Sequence, residues 1–315
     1  QGYLVQNRHQ GHPVWCSLFF ARAPFRIAAA CAQLPRRALR MPAGALKRPA
    51  SDIAKTQELE FFSAWFCPYA QRAWIALEHH GVPFKKVEGL LPDRPGEEFV
   101  GYIKNPRLLE LNPKGLVPTI SEGPGTPPVY ESLVCIEYID ELGAGGGELN
   151  VDGATLLPGS PSQRADLRLK SDWVNRHCCS PFYQILVRKD QAEREAALKD
   201  LNAGVDELEK LAAAAGGPFL AGKQLTIVDL AFIPWAHRIM ICKILERYRG
   251  PSFALDLSAR PTLAQWLEKV FALPAVRATL AEPEALAMTY RRYADGVAQS
   301  QVAEAVRQGK AAHTV

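Results

Sequence analysis

With 315 residues, 48% of them apolar and 22% charged, the chain is long enough for two ordinary domains, each with its own core. Its composition is that expected of a soluble globular protein, and no apolar run reaches the ~20 residues that cross a bilayer. The net charge of +4 sits at the start, where residues 1–51 hold eight Lys or Arg and no Asp or Glu. The remainder is slightly acidic, so the overall sign is no argument for nucleic-acid binding.

Residues 1–56 form a basic leader without periodicity, expected to be disordered. Two readings stand side by side: an organelle transit peptide, or an upstream stretch with Met41 as the initiator. The expected location is accordingly cytoplasmic, or mitochondrial or plastid if the leader is a transit peptide. From Glu58 an α/β pattern begins. Apolar and aromatic residues predict a strand over 59–63. Pro68 opens a helix that Gly81 stops at 80. A second strand is predicted over 82–88, and a weak helix from Pro95 to about Glu110, interrupted at Asn105-Pro106. The turn Asn112-Pro113-Lys114-Gly115 leads into a third strand at Thr119 and Ile120. A Gly/Pro loop over 123–128 joins it to a fourth at Val129 and Tyr130. Leu133, Ile136 and Ile139 give a helix over 131–142 its core spacing. Residues 57–143 thus follow the element order of a thioredoxin-like domain.

Residues 144–162, rich in Gly and Pro, read as a linker. Residues 163–290 read as all-helical: 163–178; 191–215, with Leu198, Leu201, Val205, Leu208 and Leu211 in register; a helix from Thr226 to Ile239, opened by a capping box with Asp229 in place of the usual Glu; then 262–273 and 274–280. Residues 291–315 are a polar tail, expected to be loosely ordered.

Chemistry concentrates in Phe66-Cys67-Pro68-Tyr69-Ala70-Gln71-Arg72. Cys67 falls at a helix N-terminus, where free N–H groups and the helix dipole favour a thiolate, so a lowered pKa is expected. Residue 70 is Ala, which excludes a CxxC dithiol cycle. The seven cysteines are scattered and no Cys/His spacing suggests a metal, so free thiols and no metal are expected.

This motif, followed by Asn112-Pro113-Lys114-Gly115-Leu116-Val117-Pro118 and by Glu131-Ser132, resembles the cytosolic glutathione transferases. Cys-Pro-Tyr-Ala-Gln-Arg is most similar to the cysteine-type omega and lambda classes. The resemblance covers roughly 58–290 and implies a thioredoxin-like α/β domain followed by an all-α domain, with glutathione as substrate. It implies a cis bond at Val117-Pro118, with the backbone of Val117 pairing with the cysteinyl part of glutathione. It places the γ-glutamyl end on Glu131 and Ser132 at a helix start, and the glycyl end on Lys104. Cys67 is then the catalytic nucleophile of a monothiol cycle: thiol transfer, deglutathionylation, or reduction of the dehydroascorbate type. Arg72 reads as structural, reaching the second domain.

A small-molecule or glutathionylated second substrate is expected between the domains, against Phe182, Tyr183, Trp235 and Arg238. No nucleic acid and no membrane are expected as partners, and a homodimer is implied by the resemblance alone. The alternatives are classical conjugation of glutathione to electrophiles, or a non-enzymatic protein of this fold, akin to chloride intracellular channel proteins or to an interaction module.

Overall fold

The computed structural model describes residues 58–93, 101–144 and 155–314. The basic leader, the start of the weak helix predicted from Pro95, and most of the linker lie outside the described residues. Strand β1 (Leu59–Ser63) buries Leu59, Phe61, Phe62 and Ser63. Its chain turns at Cys67 into helix α1 (Pro68–His80), which Gly81 ends with φ +62°, a conformation glycine adopts without penalty. The Val82 N–H donates back to Leu77 (3.1 Å) and Pro83 has no N–H to give, so strand β2 begins at Phe84 (Phe84–Glu88), two residues later than predicted. A short antiparallel pair, β3 (Leu90–Pro92) and β4 (Tyr102–Lys104), follows. Its apolar runs are too short to register as strands in sequence. Asn105-Pro106 starts a helix where an interruption was predicted: Asn105 accepts from the Arg107 N–H (2.9 Å), and Pro106 leads α2 (Pro106–Leu111). With β5 (Thr119–Ser121) and β6 (Val129–Tyr130) the main sheet has the order β2-β1-β5-β6, parallel only between β1 and β2. Helix α3 (Ser132–Ala144) completes the first domain, and Cys135, Ile136 and Ile139 are fully buried.

Asp140 on α3 is buried and receives three donors. His80 Nε2 stands 3.0 Å from it, Thr155 Oγ1 2.6 Å and the Leu156 N–H 2.6 Å. Burial alone would raise this carboxyl, but hydrogen bonds from His80, Leu156 and Thr155 outweigh it and hold Asp140 below the usual carboxylate range. The unfolded chain therefore takes up the Asp140 proton first as pH falls. The stability it contributes is present above about pH 4 and lost below it. Acid unfolding followed by tryptophan fluorescence should show this loss, and Asp140→Asn should flatten it; an unchanged slope in the variant would refute the assignment.

The second half is helical. Ser160 and Gln163 form a capping box on α4 (Pro161–Val174). A π-helical turn over Asn175–Cys179 carries the chain straight into α5 (Ser180–Val187), so the helix predicted to stop at 178 continues. Helix α6 (Gln191–Ala215) has the predicted ends, with Leu201, Val205 and Leu208 fully buried. Helix α7 (Ile227–Ala236) is buried along its whole length behind the Thr226–Asp229 capping box, and it too widens into a π-helical turn over His237–Ile241. Then come α8 (Ile244–Arg249), α9 (Pro261–Ala272) and α10 (Pro274–Arg277).

The tail differs most from expectation. Helix α11 (Pro283–Ala294) runs past the predicted end of the domain, and α12 (Gln301–Arg307) follows. Ala303, Val306 and Ala312 are buried, and the Ala312 N–H donates to Ser180 Oγ at 3.0 Å. Alternation of Ala and Val with polar residues reads as polar by average, yet supplies one apolar stripe that packs. Among the described residues no helix is long and apolar enough to cross a membrane.

Candidate glutathione site

Cys67 is the N-cap residue of α1. Its thiol donates to the Val117 carbonyl at 3.7 Å, and the backbone N–H groups of Ala70 and Tyr69 point at the sulfur. Burial pushes the Cys67 thiol up from its ordinary value; those N–H groups and the guanidiniums of Arg238 and Arg72 pull the other way without overcoming it. The lowered pKa expected from the helix start is therefore reversed, because the thiol also loses hydration among Phe66, Tyr69 and Tyr102.

The two guanidiniums are unusual. Arg72 and Arg238 are fully buried. Every acceptor they reach is uncharged: Arg72 donates to Ala231 O (2.7 Å), Ser132 Oγ (3.1 Å), Asn175 Oδ1 (3.1 Å) and Cys179 Sγ (3.5 Å). Arg238 donates to Pro234 O (2.6 Å), Tyr290 OH (2.7 Å), Phe66 O (2.8 Å) and Gln71 Oε1 (2.9 Å). Arg72 also lies 4.4 Å from the Trp235 ring. Both side chains tie the first domain to the second, and both bring positive charge to the site while bonded to neutral acceptors. Their role was only half legible in sequence: Arg72 does reach the second domain, but it also holds Ser132.

Two cavities adjoin. One, of about 290 Å³, is lined by Val117, Pro118, Glu131 and Ser132 together with Arg72, Asn175 and His313. The other, of about 270 Å³, is lined by Cys67, Lys104 and Tyr183 with Tyr102, Tyr290 and Arg292. Tyr69, Leu116, Val117 and Val302 line both, so Cys67 stands beside the partition. The Val117-Pro118 bond is cis. Glu131 has φ +71°, a region that L side chains rarely adopt, at the residue leading into α3. Gly115 also has positive φ, and a Cβ there would collide with the Lys104 side chain, whose ammonium donates to the Lys114 carbonyl. Only glycine lets Lys104 lie across that loop.

The predicted second-substrate residues divide. Tyr183 lines the Cys67 cavity. Phe182, Trp235 and Arg238 line neither cavity; they are fully buried in the core, with Phe182 edge-on to Tyr290 at 5.4 Å and Trp235 edge-on to Tyr69 at 4.8 Å. They were named for their place between the expected domains, just past one helix and on the capped one, and such a place does not say whether a side chain meets the cavity or the domain interior. Sequence reasoning missed Tyr290, Arg292, Tyr293 and Val302. The first three sit on one stretch of α11, and the Tyr290/Tyr293 spacing was the available signal.

A thioredoxin-like domain with a cis-proline bend, followed by a helical domain, is the architecture of the glutathione transferase fold. A family model for the glutathione S-transferase N-terminal domain matches residues 66–142, and one for the C-terminal domain matches 191–269. Pyrimidodiazepine synthase of Drosophila melanogaster is 30% identical over 238 residues, covering 75% of this chain and 86% of that protein. The crystal structure of glutathione transferase Omega 3C from Trametes versicolor superposes with a TM-score of 0.61 at 29% identity, covering 80% of this chain and 96% of that one. A rice glutathione transferase, Rice GST1, solved in complex with glutathione, shares the fold (TM-score 0.59, 24% identity, covering 77% of this chain and 98% of that one). The chain belongs to the glutathione S-transferase family.

Proposed function

We propose that the protein transfers thiols between glutathione and a second substrate through Cys67. The observation that carries this reading is the position of Cys67: its thiol stands on a cavity wall beside the partition from the cavity of Glu131 and Ser132. Glutathione starts in the latter and crosses the partition, with its γ-glutamyl carboxylate at the N-terminus of α3 and Ser132, its amino group on Glu131, its cysteinyl backbone along the shared Val117 and its glycyl carboxylate toward Lys104 in the Cys67 cavity. The Cys67 thiolate attacks the glutathionyl sulfur of a mixed disulfide. The old S–S bond breaks, the partner leaves as a thiolate with the electron pair, and Cys67 is left joined to glutathione. A second glutathione thiolate attacks that bond, releasing glutathione disulfide and the Cys67 thiolate. Positive charge on Arg238 and Arg72 favours the thiolate at both ends of the cycle.

Burial keeps most of the thiol protonated at neutral pH, so the first step is expected to accelerate about tenfold per pH unit until the raised pKa is reached. The measurement is the rate of Cys67 glutathionylation by glutathione disulfide, with no free glutathione, followed by mass spectrometry from pH 6 to 9. No glutathionylation of Cys67 would refute the function; a plateau already at pH 6 would refute the raised pKa. A homodimer belongs to the same proposal. Tyr130, Val134 and Leu169 are exposed apolar side chains near the Arg168–Glu137 ion pair, and a second copy would cover them. Sedimentation velocity giving a single chain mass at micromolar concentration would exclude it.

A further inference from the structure

We propose that Tyr290, backed by Arg238, is a hydrogen-bond donor to the thiolate that leaves when Cys67 takes the glutathionyl group. This deepens the thiol-transfer reading and rests on it. Arg238 is fully buried in the π-helical turn over His237–Ile241, and its N–H groups meet acceptors on four residues. Three of these acceptors are amide oxygens: Phe66 O, Pro234 O and Gln71 Oε1. An amide oxygen accepts and passes nothing on. The fourth is the Tyr290 hydroxyl, which takes the Nε hydrogen at 2.7 Å and still has a hydrogen of its own to give. A phenol that accepts from a cation is a stronger donor, because each bond in such a chain polarises the next.

Tyr290 lines the cavity that holds Cys67. Its ring is fixed there, edge-on to Phe182 and tilted against Tyr293, both at 5.4 Å. A charge on Cys67 raises the Tyr290 phenol, so hydroxyl and sulfur lie within electrostatic reach of each other. Burial also pushes this phenol up, against the Arg238 charge and the hydrogen bonds from Tyr183 and Arg238. Tyr290 therefore stays protonated at neutral pH. With Tyr183 and Arg238 on its oxygen, its hydrogen is what remains for the cavity, and no acceptor among the described residues takes it. The Tyr69 hydroxyl, on a ring that lines both cavities, is buried without any partner and so lacks a cation to polarise it. As the Cys67 thiolate bonds to the glutathionyl sulfur, the old S–S bond breaks and its electron pair moves to the partner's sulfur. Tyr290 donates to that sulfur while negative charge develops there. The hydrogen stays on the phenol, and the departed thiolate takes a proton from water. Such a bond gains most with a basic thiolate, so the substrate class served best is a glutathione mixed disulfide of an alkyl thiol.

Single-turnover glutathionylation of Cys67, without free glutathione and followed by mass spectrometry, tests this with two disulfides of glutathione. One carries 2-mercaptoethanol, which leaves as a basic thiolate; the other carries 5-thio-2-nitrobenzoate, which leaves as a weakly basic one. Tyr290→Phe should slow the first about thirtyfold and the second about threefold. Iodoacetamide, which expels no thiolate, should alkylate Cys67 in the variant as fast as in the wild type. Equal slowing of both disulfides would overturn the proposal and make Tyr290 a packing residue. Alkylation slowed to the same degree would also overturn it, by assigning the hydroxyl to the Cys67 thiolate. The wild type alone gives a second measurement. Its rates over a series of leaving thiols should fall less steeply with thiol pKa than those of uncatalysed exchange with glutathione, and an equal slope would refute the donor role. If neither disulfide glutathionylates wild-type Cys67, the thiol-transfer reading fails and the donor role with it, a result distinct from each of the others.

Discussion

Cys67→Ser is expected to lower glutathione-dependent reduction of hydroxyethyl disulfide by on the order of a thousandfold or more, to the uncatalysed background. A serine hydroxyl is scarcely ionised in water, and the desolvation that raises the thiol pKa here would raise an alcohol further. No mixed disulfide can form on oxygen. Glutathione affinity should change little, because Glu131, Ser132 and Val117 line the adjoining cavity and depend on Cys67 only through the 3.7 Å contact to the Val117 carbonyl. Cys242→Ser is the control. Cys242 is partly exposed, but it lines neither cavity, stands 3.5 Å from His237 Nε2, and burial pushes its thiol up to about 11. Cys178 and Cys179 are fully buried and out of reach of a disulfide substrate. If Cys67→Ser reduces disulfides at near wild-type rate, the mechanism is wrong and Cys242 becomes the next thiol to examine.

Asp229→Ala should cost about 3–5 kcal/mol of stability, the largest effect expected of any single substitution away from the cysteine. Its carboxylate is fully buried and accepts four donors: the Leu220 N–H and Trp266 Nε1 at 2.9 Å on one oxygen, the Thr226 N–H (2.8 Å) and Thr226 Oγ1 (2.9 Å) on the other. Alanine leaves all four buried donors unpaired. It also removes the cap of a helix whose ten residues are all buried, and the contact of α7 with α9 through Trp266. Denaturant titration should show the midpoint falling; a loss below about 1 kcal/mol would mean that water or a side chain replaces the carboxylate. Asp229 was read from sequence as a folding residue on the strength of the capping-box spacing alone, and its two further partners, Leu220 and Trp266, were invisible there.

Local rules carried much of the fold. Pro68 and Gly81 bracket α1, Thr226 and Asp229 open α7, and the leucine register of α6 gives its two ends, because caps and periodicity are decided within a turn or two of chain. They failed where a short element depends on a partner far away. The β3–β4 pair has three residues on each strand and exists only as a pair, and α12 is held by burial against the helices before it.

The main-sheet strands, the cysteine at a helix start and the Glu131-Ser132 helix entrance were legible in neighbouring residues, and the Val117-Pro118 bend through the family resemblance that those residues carry. Tertiary structure decided the rest. It put Phe182, Trp235 and Arg238 in the core instead of the pocket, since a residue's place on a helix does not say what packs over it. It brought Tyr290, Arg292 and Val302 to Cys67 across more than two hundred residues of chain. It also reversed the sign expected for the thiol: the helix start that favours a thiolate is a local property, whereas the desolvation that opposes it comes from side chains that only folding assembles.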